Sequence, residues 1–201
     1  APATPASPQG DTDATPPAMD FSSVFTAGMP AILKDLGITL LVTTYQAGKL
    51  IVVREQEGRV NTHFRLLKKP MGLVGDINRF AVGTLNQIIE YRNMPSVARN
   101  LESPLAHDGV YVPRQLHFTG DVDIHEMVFA NDGRLWFANT RFSCLCVRDF
   151  DHSFVPVWRP PFVTGYAPED RCHLNGLGLR DGVPRYVTML GQTNSRGGWR
   201  E

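Results

Sequence analysis

Two histidines stand just ahead of short apolar runs. His125 lies in DIHEMVFANDGRLWFAN (residues 123–139), and His173 in RCHLNGLGLRDGVPRYVTM (residues 171–189). Imidazole gives or takes a proton near neutral pH and binds Zn, Fe, Cu or Ni. Two imidazoles from matched positions of a repeat can converge on a divalent metal or a substrate anion. Asp121, Asp123, Glu126, Glu169 and Asp170 lie close in sequence and could complete a coordination sphere. From the residues alone, His125 and His173 are the candidate ligands of a divalent metal such as Zn. The competing reading is architectural: each imidazole bonds backbone in a neighbouring unit and fixes the angle between units.

Other reactive residues point to less. Cys144 and Cys146 are two apart on a strand and face the same way. With Cys172 and His173 they offer Zn donors, but Cys-x-Cys within one strand is an awkward bite, and buried free thiols are the expected outcome. Tyr45, Gln46 and Lys49 fall in a hairpin turn, where a solvated lysine is the ordinary reading. No Ser-His-Asp order and no phosphate cradle is present, and Gly176-x-Gly178 lacks the strand–helix setting of a dinucleotide fingerprint. Trp136, Trp158, Phe129 and Phe137 read as core.

The elements that position the histidines repeat. A third, fainter copy is PMGLVGDINRFAVGT (residues 70–84). Each copy is a short apolar strand, a tight turn and a second strand. Aligned at Gly72, Met127 and Gly176, the copies are 55 and 49 residues apart. Periods near 40–50 with about four strands each point to propeller blades. The expected fold is all-β, a β-propeller of six blades when complete, of which this chain holds about three and a half. The expected strands are 38–44, 49–54 and 59–67 in the first unit, then 72–74, 80–84, 87–91 and 110–118 in the second. The third unit has 126–130, 134–140, 144–148 and 154–158, and the fourth 174–179 and 185–190. A three-stranded first unit suits a ring closed by a strand from the C-terminus. A short helix over Met29–Gly37 precedes the strands, with Pro30 in its first turn, Gly37 past its end, and Ile32, Leu33 and Leu36 as a buried stripe. Residues 1–20, rich in Pro and Ala, read as a disordered lead-in, and residues 21–201 as a partial propeller truncated at its C-terminus. The insertion Arg92–Gly109 reads as a surface excursion.

Composition narrows the function classes. The 201 residues carry 20 basic and 20 acidic side chains, a formal net charge of zero, which argues against nucleic acid held by general phosphate attraction. No apolar run approaches the ~18 residues of a membrane span. Three cysteines, an odd and small number, fit free thiols in a reducing, cytoplasmic setting.

TTYQAGKL (residues 43–50), GRLWFANTRFSCL (133–145) and CHLNGLGLRDGVPRYVTMLG (172–191) together resemble an uncharacterised bacterial family of conserved hypothetical, propeller-like proteins, a domain of unknown function. The resemblance covers about residue 21 to the end and implies a fold but no activity. More distantly, the entry to each unit is similar to the gluconolactonase, strictosidine-synthase and NHL-type propellers. Lactonase-like propellers hold Ca or a similar hard cation with carboxylate and Asn side chains. This similarity implies Asn175 and Glu126, beside His125 and His173, as the candidate ligand-binding set, with Ca or Zn as the metal. The expected function is a binding or scaffold module that takes a small molecule or peptide at the histidine-bearing channel rim. The alternative is a metal-dependent, lactonase-like hydrolase or lyase at the same rim.

Overall fold

A computed structural model describes residues 22–101 and 107–201. The expected disordered lead-in over residues 1–20, and residues 102–106 of the insertion, lie outside the described residues.

The chain opens with α1 (Met29–Leu36). Pro30 sits in its first turn, and Gly37 closes it in the left-handed conformation (φ 60°), where a Cβ would be strained. Leu33 and Pro30 are the buried residues of α1, whereas Ile32 and Leu36 are 54% and 63% exposed, so the expected three-residue stripe is corrected to a narrower seam. Among the described residues the helix packs chiefly on β2 and β3 of the first sheet, and such a contact buries fewer positions than a groove between two sheets would.

Four antiparallel sheets follow in chain order. The first joins β1 (Leu40–Thr44), β2 (Lys49–Gln56) and β3 (Arg59–Leu66). The second runs β4 (Leu73–Gly75), β5 (Arg79–Gly83), β6 (Gln87–Asn93) and β7 (Tyr111–Phe118), with a four-residue helix α2 (Pro95–Ala98) inside the insertion that the sequence did not announce. The third runs β8 (Ile124–Phe129), β9 (Leu135–Asn139), β10 (Cys144–Val147) and β11 (Val155–Trp158). The fourth pairs β12 (Leu174–Arg180) with β13 (Val183–Met189). Every expected strand is present, with ends displaced by a residue or two.

The sheets stack as blades, their first strands adjacent: β4 packs on β8, and β8 on β12. Alternation along each strand feeds two separate cores. On β5, Phe80 and Val82 join Leu50 between the first two blades, while Ala81 joins Ile124, Met127 and Phe137 between the second and third. On β9 and β10, Phe137, Cys144 and Cys146 face the second blade, while Ala138 and Leu145 face Cys172, Leu174 and Leu177 of the fourth. A blade buried on both faces needs apolar side chains at odd and even positions alike. That is why LWFAN and CLCV read as continuous apolar runs. Phe137 is fully buried as expected, but Trp158 is 37% exposed at the outer edge of its blade. No helix among the described residues is long and apolar enough to cross a membrane.

Between the second and third blades Glu90 is 1% exposed, held by Arg92 at 2.7 Å and by Arg148 of the neighbouring blade at 2.9 Å.

Candidate functional site

Each blade enters its first strand through one backbone device. Lys69, Asp123 and His173 all adopt left-handed φ, at 48°, 55° and 49°. Each is followed by a buried residue, Pro70, Ile124 or Leu174. Then two residues oppose one on the next strand. Ile124 pairs with Asn139 and Met127 with Phe137, so His125 and Glu126 together face Ala138. Leu174 pairs with Met189 and Leu177 with Val187, so Asn175 and Gly176 face Thr188. In the second blade Gly83 bonds both Met71 and Gly72. A bulge of this kind re-aims its side chains and recurs next to functional sites.

This register corrects the sequence alignment. His125 and His173 are not equivalent: His125 corresponds to Asn175 and Met71, and His173 to Asp123 and Lys69. The copies are 54 and 50 residues apart, counted from Lys69 to Asp123 to His173.

The two imidazoles nevertheless meet. Their ring centroids are 4.8 Å apart and the planes cross at 85°. His125, with its side chain 8% exposed, has Nδ1 3.1 Å from the Asp123 carbonyl and 2.9 Å from Thr140 Oγ1. The Thr140 hydroxyl donates its one proton to the Leu174 carbonyl at 2.5 Å, so it accepts from His125. A backbone carbonyl also only accepts. Nδ1 of His125 therefore carries hydrogen, and in the neutral ring Nε2 is the free lone pair. Thr140 thereby links the third blade's entry to the fourth's.

His173 is anchored the same way. Its Nδ1 donates to the Asp170 carboxylate at 3.0 and 3.2 Å. Trp199 Nε1 donates to the same carboxylate at 2.8 Å, and Arg200 Nη2 lies 3.7 Å from it. The Trp199 ring lies against His173, centroids 4.2 Å apart, and the Arg200 guanidinium covers Trp199 at 4.0 Å. The stack depends on Gly191: a Cβ there would meet Trp199 Cα and Cβ at 2.9 Å.

The other predicted residues are arranged differently. Asn175 is exposed, one blade on from His125 in the same register. Glu126 turns back on its own strand, where Oε1 accepts from the Met127 amide at 3.0 Å. Burial pushes the Glu126 carboxyl above the usual range, and the Met127 amide offsets part of that. Among the described residues, no three His, Cys, Asp or Glu side chains group to hold a metal. The Cys144 and Cys146 sulfurs are 3.5 Å apart and fully buried in one inter-blade core, with Cys172 in another, so no thiol–histidine cluster forms. Tyr45 is covered by Lys69 Nζ at 5.4 Å, in its own corner of the rim.

Residues 27–201 match a family described as a domain of unknown function, DUF4915. The chain belongs to the DUF4915 family. No curated protein matches it. Among solved structures, the DUF4915 chain is similar to a streptogramin B lyase structure at 13% identity and a TM-score of 0.50, over 77% of this chain and 45% of that one. The likeness shows the fold, a β-propeller, and the chain spans less than half of that neighbour's length.

Sequence reasoning missed Thr140 and Trp199 in this DUF4915 chain. Thr140 belongs to the turn after β9, and Trp199 lies in a 3₁₀ turn, Gly198–Arg200, beyond the repeat. The signal for Trp199 was faint: an aromatic beside an arginine, outside any blade pattern.

Proposed function

We propose that the rim carrying His125 and His173 binds a small molecule or peptide and that the two Nε2 atoms are its recognition groups. The observation that supports this is the shared anchoring: a fixed acceptor takes each Nδ1–H, and each Nε2 lone pair is left to meet a hydrogen-bond donor on a ligand. Asn175, exposed in the register of His125, extends the same surface, and Glu126 lies beside it. Neither nucleic acid nor membrane is part of this reading. Three free, buried cysteines agree with a reducing, cytoplasmic compartment.

The alternative reading, a metal-dependent hydrolase or lyase, draws on the same anchoring, because metal-bound histidines commonly donate their second ring N–H to a carboxylate or carbonyl. The similar solved structure is that of a streptogramin B lyase. Two imidazoles suit Zn rather than Ca, which takes oxygen ligands. The described residues supply two donors, short of a complete site, so no reaction step is assigned to a metal.

Metal content of the purified chain, with and without added Zn, separates the readings. The binding reading expects no stoichiometric metal in the wild type. It also expects His125→Ala and His173→Ala to change the ¹⁵N signals of the remaining imidazole. Stoichiometric Zn that disappears in both variants would replace it with the metal-dependent reading.

A further inference from the structure

One cavity lies away from the rim. It is a cleft of about 1100 Å³ between the first two blades, whereas the imidazole pair lies between the third and fourth. Typical small-molecule sites enclose roughly 300–1,000 Å³.

One wall is cationic. Across β2 and β3, Leu50 pairs with Arg65, Val52 with His63 and Arg54 with Asn61. Directly paired residues share a face, and so do residues two apart, so Arg54, His63 and Arg65 project from one face of the first blade. All three line the cleft. Asn61 Oδ1 accepts from Arg54 Nε at 3.1 Å and holds that guanidinium in place. Among the described residues, no carboxylate forms an ion pair with Arg54, His63 or Arg65. Two acids of the lining are committed elsewhere. Asp76 accepts from the amides of Asn78 and Arg79, and Glu55 accepts from the Gly58 amide. A third, Asp108, stands beside Tyr111 on the opposite wall, where its charge raises the phenol further after burial has done so.

The other wall is aromatic. Phe80 and Tyr91 stack with centroids 4.5 Å apart and planes within 11°, and Tyr111 tilts against Phe80 at 5.3 Å. Tyr111 is fixed by its hydroxyl, which donates to the Ile77 carbonyl at 2.9 Å. The two walls sense each other: burial pushes the Tyr91 hydroxyl up, and the Arg65 guanidinium pulls against it. Leu50 and Phe80 of the lining pack with Val82 in an apolar core beneath it.

We propose that this cleft is a second binding site, for a small organic anion with a phosphate or carboxylate on a planar ring. The oxyanion meets Arg54, His63 and Arg65, which line one wall and, among the described residues, form no ion pair with a carboxylate. The ring lies against the Tyr91 and Tyr111 side.

Phenyl phosphate and benzoate are the probes, with inorganic phosphate and benzyl alcohol as controls, followed by amide and methyl NMR shifts on the full chain at concentrations up to about 10 mM. Saturable shifts on β2, β3 and β6 are expected for at least one aromatic anion, and which one saturates at lower concentration distinguishes phosphate from carboxylate. Arg54→Gln and Arg65→Gln should each weaken that binding by about tenfold with unchanged thermal midpoints. Tyr111→Leu should weaken it as well, and His125→Ala should leave it unaltered. The proposal is overturned if neither aromatic anion saturates, if inorganic phosphate binds as tightly, or if the arginine variants bind like wild type.

Discussion

Asp123 and His173 share one backbone conformation at one register position in neighbouring blades, with φ of 55° and 49°. Lys69 holds the same place one blade earlier, at 48°. The repeat is thus a backbone device before it is a side-chain motif: a left-handed residue, a buried residue, then a bulge. It turns the chain from the outer strand of one blade into the inner strand of the next, and the side chains it carries differ from blade to blade.

The device makes the first prediction. A β-branched residue is strained in the left-handed region, where even ordinary L-residues pay roughly 1–2 kcal/mol. Lys69 is exposed, and the contact of its Nζ with the Tyr45 ring at 5.4 Å is lost equally in the Val and Gly variants, so comparing those two isolates the backbone effect. Lys69→Val is expected to destabilise the protein by about 1–2 kcal/mol, and Lys69→Gly to leave it unchanged or slightly more stable. Urea unfolding of the three proteins side by side is the measurement, and equal midpoints for Val and Lys would contradict it.

The same device explains what could be read from the sequence. Strands were legible because β-branched and apolar runs stop at Asp-Gly, Glu-Gly and Ala-Gly turns, which mark hairpins whatever the tertiary setting. The family resemblance and the propeller repeat were legible for the same reason. The pairing of His125 with His173 was seen, but through a false equivalence. Matching histidine to histidine ignores the bulge; matching Ile124 to Leu174 and Met127 to Leu177, both buried in their cores, gives the true register. The rings meet because one sits on a bulge and the other at the next blade's entry. Thr140 and Trp199 could not be read in this way, because their roles arise only when the turn after β9 and the segment after β13 come to the same rim. Ile32 and Leu36 failed for the opposite reason: the helix pattern was right, but the helix packs chiefly on one sheet, and these two residues lie off that contact.

Thr140 carries the second prediction. It is fully buried, and its hydroxyl is at once acceptor from His125 and donor to the Leu174 carbonyl. Valine has nearly the same shape but neither function. Thr140→Val leaves a buried carbonyl without that donor, at a cost of about 1–3 kcal/mol. Thr140→Ser should recover most of it. Long-range ¹⁵N–¹H spectra of His125 provide the second readout: the Nδ1–H form should dominate in wild type and in the Ser variant. A Val variant as stable as wild type would remove Thr140 from the site.

Glu126 makes stability depend on pH. Burial raises its folded pKa, with partial relief from the Met127 amide. A carboxyl whose folded value lies above its unfolded value binds its proton more tightly in the native state. Its contribution is complete below the unfolded range, about pH 4, and is lost as pH rises through the folded value. Glu126→Gln removes this titration. The variant should therefore gain stability relative to wild type between about pH 4 and pH 7, as followed by denaturant midpoints at several pH values. Parallel curves for the two proteins would show that Glu126 is solvated in the folded state.

Glu90 is the remaining charge that matters to the architecture, because it is buried where the second and third blades meet. Arg92, two residues along the same strand, is partly exposed and offers one partner; Arg148 from the neighbouring blade offers the other and also donates to Gln115 at 3.0 Å. Replacing a buried ion pair as a unit can be nearly neutral, whereas removing one member strands the other. Arg148→Met is therefore expected to cost about 2–3 kcal/mol, less than complete loss of pairing because Arg92 stays. The double variant Glu90→Gln, Arg148→Met should cost less than the sum of its single changes, since the carboxylate that needed Arg148 has gone. Chemical denaturation of the four proteins gives the coupling directly. Strict additivity would mean that Arg148 packs against Glu90 without stabilising its charge, and that the blade interface rests on its apolar core alone.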